Sequence, residues 1–313
     1  MKGNKTSNEY VYFILIYIFS IFLYNTMYIY IYVTIIILIS LVFCIIPYNK
    51  EPFVDKKNNV AVIICGFAPR SFKYTYKSID KNIIQHLKSN HFNVDVFHHS
   101  LLSKTNRIES NRRGENDILI NNDDVNLLKA KIKTEYQEDI VLPDGGKNCW
   151  KDKKAFQNAC RGIYSEYNSF KLINPNHYDS TILITSDSLF LKPISIKEVN
   201  DSIENKNIVY TTPFNQYGGI ANGFYICNSL TMKKITNRFL NIETFCKNNP
   251  DSNEREINSE YFLKTTLDDN NIINKNSSMF YLKIRANKKS NQYIKLLDKY
   301  HIENSEEIKK LYS

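Results

Sequence analysis

The six cysteines (Cys44, Cys65, Cys149, Cys160, Cys227 and Cys246) include no CxxC pair, and no histidine stands at zinc-finger spacing, which excludes a structural zinc module. Neither a GxGxxG fingerprint nor a GxxxxGK[ST] loop occurs. A dinucleotide-binding oxidoreductase is therefore a distant reading, and a P-loop enzyme is excluded. The net charge is +9, yet Lys and Arg are scattered, with no helix-turn-helix or RNP-like pattern beside them. We read that charge as a by-product of a Lys-, Asn-, Ile- and Tyr-rich composition and expect no nucleic-acid partner. Charge is missing altogether from residues 10–48.

That uncharged run of Ile, Leu, Val, Phe and Tyr is longer than the ~20 apolar residues a bilayer needs, so residues 1–49 read as a membrane anchor. The run also exceeds the ~7–15 residues of a signal-peptide core and lacks a small-residue cleavage site. Asn25-Thr26 splits it, so one tilted helix over 27–46 competes with a tight hairpin. Lysines flank the run on both sides and leave orientation open; an anchor that precedes its domain fits a single-pass, type II arrangement. Residues 50–59 are polar and serve as a linker.

A domain over 60–290 follows. Val60 to Cys65 form an uninterrupted apolar strand; Gly66 makes a turn, and Ser71 precedes a helix whose apolar positions recur at helical spacing. Strand, glycine turn and helix begin a βαβ unit, so the fold expected is α/β with a mostly parallel sheet. A glycine turn leading into a helix N-terminus is an anion site, to which Arg70 adds a fixed charge. A structural ion pair for Arg70 weighs equally. A second strand covers 92–98 and ends in His98-His99, which taken singly read as packed or solvated histidines. Residues 101–148 read as a polar insertion with one helix over 124–138. Cys149 and Cys160 could pair if the domain faces an oxidising lumen.

Residues 153–172 form an amphipathic helix, 207–212 a strand and 229–247 a second amphipathic helix. A further helix starts at 258, a final strand covers 278–285, and the tail 291–313 is a peripheral helix. Between these lies the stretch 178–193, YDSTILITSDSLFLKP, where an apolar strand stops abruptly at Ser186-Asp187-Ser188. A lone carboxylate at the mouth of a buried strand is costly without a partner, and ligands of open α/β sheets sit at carboxyl ends of strands. Asp187 is thus a candidate contact for a metal or a sugar nucleotide, against the plainer reading of a turn cap.

Taken in order, VIICGFAPRSFKYTYKSI, DVFHHS, TSDSLFLKP, ANGFYICNSLTMKKI, SEYFL and FYLKIRAN resemble the glycosyltransferase-like proteins of GT-A architecture encoded by large DNA viruses and some microbes. The resemblance spans residues 60–287. It implies a nucleotide-sugar donor bound through Gly66, Arg70, Ser186 and Asp187, with Asn222 and Gly223 shaping the pocket and Arg285 near the phosphate. It implies a glycan or protein acceptor, and an ER/Golgi-like or viral membrane. A divalent metal, Mn²⁺ or Mg²⁺, would be held at Asp187, although Ser186-Asp187-Ser188 carries one carboxylate where the family's DxD motif has two. Glu260 in SEYFL matches the position of a base that deprotonates the acceptor hydroxyl, against the simpler reading of a helix N-terminal acid. The incomplete motif also admits a catalytically inert binding or scaffold protein.

Overall fold

The computed structural model describes residues 7–45, 58–108, 114–141, 153–249 and 258–313. Linker residues 50–57, residues 109–113 and 142–148 of the polar insertion, and Cys149 lie outside the described residues. The chain forms two compact units, Met1–Lys56 and Lys57–Ser313.

The first unit is helix α1 (Ser7–Ile45), of which Phe13–Ile39 is long and apolar enough to cross a membrane. It is one continuous helix, and the hairpin alternative falls away. Asn25-Thr26 does not break it because the Thr26 hydroxyl donates back to the carbonyls of Phe22 (2.9 Å) and Leu23 (3.0 Å). A hydroxyl bonded to its own helix hides its polarity from an apolar surrounding.

In the second unit the strands are β1 (Asn59–Gly66), β2 (Asn93–Leu102), β3 (Lys131–Tyr136), β4 (Ser180–Thr185), β5 (Ser188–Phe190), β6 (Ile208–Thr211), β7 (Phe224–Cys227), β8 (Ile273–Asn276) and β9 (Tyr281–Lys283). Seven of them make a mixed sheet in the order β3-β2-β1-β4-β7-β6-β8, in which only β7 runs against the rest. The remaining two, β5 and β9, pair antiparallel in a small second sheet. The helices are α2 (Phe72–Ile79), α3 (His86–Ser89), α4 (Lys153–Phe170), α5 (Ile196–Glu204), α6 (Ser229–Thr236), α7 (Ile242–Asn248), α8 (Ser259–Asp269), α9 (Asn291–Ile294) and α10 (Ser305–Tyr312).

Strand β1 is buried on both faces, as its unbroken apolar run requires. Val60, Val62 and Ile64 point to the layer of α2, α3 and α5, while Ala61, Ile63 and Cys65 point to that of α4, α6 and α8. The two-residue pleat thus gives one strand two cores. The fold is α/β, with a mostly parallel mixed sheet between helical layers.

Several expectations change. Residues 124–138 hold no α-helix: a 3-10 turn (Asn122–Leu127) leads into β3, which pairs parallel with β2 at the sheet edge. The KIKTEY pattern alternates with a period of two and is largely solvent-facing, which suits an edge strand. Helix 229–247 breaks into α6, a 3-10 turn (Asn237–Asn241) and α7, because Arg238 turns into the interior. The expected final strand shrinks to β9, with β8 ahead of it. Ser71 stands before α2 without a side-chain cap. The tail is not peripheral: Leu297 is fully buried and the Tyr300 ring lies 5.4 Å from that of Phe280. Cys160 is a buried free thiol and does not pair with Cys149; Cys246 is disulfide-bonded, while Cys65 and Cys227 are free.

His98 and His99 sit inside β2 and are both fully buried, His98 with its ring 4.9 Å from that of Phe72. Burial, reinforced by the neighbouring His99, pushes His98 down to about 3; burial likewise pushes His99 down to about 4, despite Glu135 nearby. Both are neutral in the fold at neutral pH, whereas the unfolded chain protonates them near pH 6.5. The unfolded state therefore takes up more protons as pH falls below 6.5, and stability drops by about 1.4 kcal/mol per pH unit for each histidine. Urea denaturation of the full-length protein between pH 7 and pH 5 should show this decline, and His98→Leu should remove about one proton from the slope. A slope unchanged in that variant would show that His98 is not held neutral.

Candidate functional site

Parallel strands β1, β2 and β4 present their carboxyl ends at one edge of the sheet, and a cleft of about 740 Å³ opens there. Its walls include Gly66 at the end of β1, the segment after β2, Thr185, Ser186 and Asp187 after β4, one side of α4, and Lys283 and Arg285 at β9. Among the described residues that line it, seven carry a positive charge (Arg70, Lys104, Arg107, Lys154, Arg161, Lys283, Arg285) and one a negative charge, Asp187. Some of this charge is offset locally. Arg70 pairs with the buried Glu115, Lys104 with Glu138 and Arg161 with Asp139.

Asp187 occupies the turn between β4 and β5. Its Oδ1 accepts hydrogen bonds from the Lys283 ammonium (2.8 Å) and the Thr185 hydroxyl (2.8 Å), and its Oδ2 faces the Arg285 guanidinium at 3.5 Å. The β5–β9 register creates this meeting: Ser188 stands opposite Lys283, and the Ile284 amide donates to the Asp187 carbonyl (2.8 Å). Burial alone would raise the Asp187 carboxyl, but Lys283 and Arg285 hold it well below the usual carboxylate range. It is ionised and doubly paired.

That donor set does not fit a divalent metal. Ser188 is fully buried and bonded to Thr185 Oγ1 (2.9 Å), and among the described residues that line the cleft Asp187 alone supplies a carboxylate. At an effective dielectric near 20, two unit charges 4 Å apart interact by about 4 kcal/mol, and a divalent ion at Asp187 would meet roughly twice that repulsion from each neighbouring cation.

Gly66 ends β1 with its amide donating to Ser165 Oγ (2.8 Å), and Ser186, buried, donates its amide to the Cys65 carbonyl (2.9 Å). Arg70 reaches Glu115, whose Oε1 also accepts from the Ala286 amide (2.7 Å), so this carboxylate ties the β1 turn to the segment after β9. Gly66, Arg70, Ser186, Asp187 and Arg285 all line the cleft; Asn222, Gly223 and Glu260 do not. Gly223 lies just behind it. With φ at +85°, it tolerates no side chain, and a Cβ there would approach Thr185 Cγ2 to 3.0 Å and Lys283 Nζ to 3.4 Å. Asn222 Nδ2 donates to Ser259 Oγ (2.7 Å), which in turn donates to Glu260 Oε2 (2.9 Å). Gly219 packs on the Glu260 backbone so closely that a Cβ would overlap its carbonyl carbon, and the Ile220 amide donates to the Glu260 carbonyl (3.0 Å).

Sequence reasoning missed Lys283, Glu115 and the pair Glu166–Arg238. Lys283 carried a usable signal: it stands two residues before Arg285, and strand alternation puts both on one face. Glu166 lies off the apolar stripe of α4 and reads as a surface residue, yet it is buried, and fully buried Arg238 donates to its Oε2 (2.6 Å) and to the Tyr225 hydroxyl (3.1 Å). Tyr225 in turn accepts the Gly223 amide (3.2 Å).

No protein-family model matches this chain, and no curated protein matches it in sequence.

Removing one member of a buried ion pair leaves the other uncompensated, at a cost of about 3–5 kcal/mol. Glu166→Ala should therefore lower the denaturation midpoint strongly, and Glu166→Leu combined with Arg238→Met should recover most of the loss. A single-variant cost below about 1 kcal/mol, the range of exposed pairs, would show that the pair is solvated.

Proposed function

We propose that the chain is a membrane-anchored glycosyltransferase of GT-A type, moving a sugar from a nucleotide-sugar donor to an acceptor hydroxyl on a glycan or protein. The observation that carries this reading is the cationic cleft at the carboxyl ends of β1, β2 and β4, large enough for a nucleotide sugar. Excess positive charge at that edge suits a ligand whose departing group is a diphosphate.

In the transfer, the bond between the anomeric carbon and the diphosphate oxygen breaks, and the nucleoside diphosphate leaves with the electron pair. The acceptor oxygen bonds to the anomeric carbon and loses its proton to a base. Arg70, Lys283 and Arg285 offset the charge that builds on the leaving oxygen, the largest contribution such a site can make. Glu260 is our candidate base. The resemblance nominates it; it lies outside the cleft lining, and a hydrogen-bonded link runs from it through Ser259 to Asn222, next to Gly223. A type II arrangement in an ER/Golgi-like or viral membrane puts the domain in an oxidising lumen, and the disulfide-bonded Cys246 supports that side.

A second reading, a catalytically inert binding protein, is favoured by one observation: the single carboxylate among the described residues of the cleft lining is already committed to two cations. Full-length protein in detergent, screened with UDP- and GDP-sugars, separates the two. The transferase should bind one donor family and release its nucleotide, and Glu260→Gln should slow release by about a hundredfold while leaving donor binding in place. Donor binding with no release under any acceptor would favour the binding protein. Unchanged turnover in Glu260→Gln would put the base elsewhere.

A further inference from the structure

We propose that this cleft binds the diphosphate of its ligand without a divalent cation, Lys283 and Arg285 supplying the positive charge that a metal would otherwise bring. The inference rests on the nucleotide-sugar reading for the identity of the ligand. Its own ground is the arrangement around Asp187.

Each of the three positions at the β4–β5 turn has a defined place. The Ser186 side chain is buried against the Gly66 backbone, the Ser188 hydroxyl is buried against Thr185, and only Asp187 presents a carboxylate. That carboxylate is met by two cations held on neighbouring residues of one extended segment. Lys283, which also donates to Thr185 Oγ1, and Arg285 are largely withdrawn from solvent, with side-chain exposures of 12% and 16%. Charges so placed are weakly screened by salt. Lys283, Arg285 and Asp187 together carry a net +1, and Arg70 stands in the same wall.

Geometry gives the two cations distinct tasks. The guanidinium presents a planar fork that matches two phosphate oxygens at once, and the ammonium acts as a compact point charge. Asp187 is a positioning residue here. It holds both side chains at the turn in the absence of ligand and competes with phosphate for them. The β5–β9 pairing keeps their backbone in place during that exchange, since Ser188 and Lys283 are partners in the small sheet.

The test is calorimetric titration of the full-length protein in detergent with UDP, GDP and inorganic pyrophosphate, in excess EDTA and again with Mn²⁺ or Mg²⁺. At least one probe should bind in EDTA as tightly as with metal. Lys283→Ala and Arg285→Ala should each weaken that binding by about tenfold or more, the loss of one charge-assisted hydrogen bond. Lys283→Arg should retain most of it, which separates lost charge from lost fold. Asp187→Asn removes the negative charge that competes for Lys283 and Arg285 and should tighten metal-free binding. Binding that requires metal and disappears in Asp187→Asn would overturn the inference while leaving the transferase reading intact. No binding of any probe under either condition would overturn both.

Discussion

Glu166 and Arg238 meet in the interior with almost no access to water, and the organisation behind the cleft depends on that contact. Arg238 comes from a turn that interrupts what would otherwise be one helix after β7, and Glu166 comes from the polar side of α4. Two charges taken out of water are expensive, so the pair persists only where further hydrogen bonds satisfy it. Ile235 and Tyr225 supply them, and Tyr225 passes the constraint on to the amide of Gly223. A buried charge pair thus holds in place a glycine that abuts Thr185 and Lys283.

In front of that glycine the electrostatics reverse. The interior pairs one acid with one base, whereas among the described residues that line the cleft seven are basic and one is acidic, with Glu115, Glu138 and Asp139 offsetting three of the bases. Such a surplus repels itself and is stable only with solvent or an anion to answer it. The carboxyl edge of the sheet is where a parallel arrangement leaves a crevice, so the place of the cleft follows from topology and its sign from side chains. Glu115 shows how the two are joined: one buried carboxylate fastens Arg70, from the turn after β1, to the backbone beyond β9.

The small sheet has a larger part than its size indicates. Strand β4 belongs to the main sheet and β5, two residues later, to the other, so Asp187 lies at the point where the chain changes sheets. Pairing of β5 with β9 brings residues almost a hundred positions apart into one ion-paired cluster. At this change of sheets both serines beside Asp187 are buried, Ser186 in the wall of the cleft and Ser188 against Thr185, and Asp187 brings the carboxylate to the lining.

Much of this was legible in the residues themselves. An uncharged run of such length specifies an apolar helix, because the hydrophobic pattern is local and strong. Val60 to Cys65 and Ser180 to Thr185 announce buried parallel strands for the same reason. Of the residues that the resemblance grouped as one donor site, Gly66, Arg70, Ser186, Asp187 and Arg285 line one cleft, while Asn222 and Gly223 do not. Other features were not legible. Residues 124–138 carry a weak pattern whose strand exists because β2 offers an edge to pair with, and Glu166 looks like a solvated charge until Arg238 arrives from a distant segment. The partners of Asp187 depend on the register of β5 with β9. Local sequence determined which segments were apolar, extended or helical; tertiary structure decided which charges meet, because a charge in the interior takes its character from partners that lie far away in the chain.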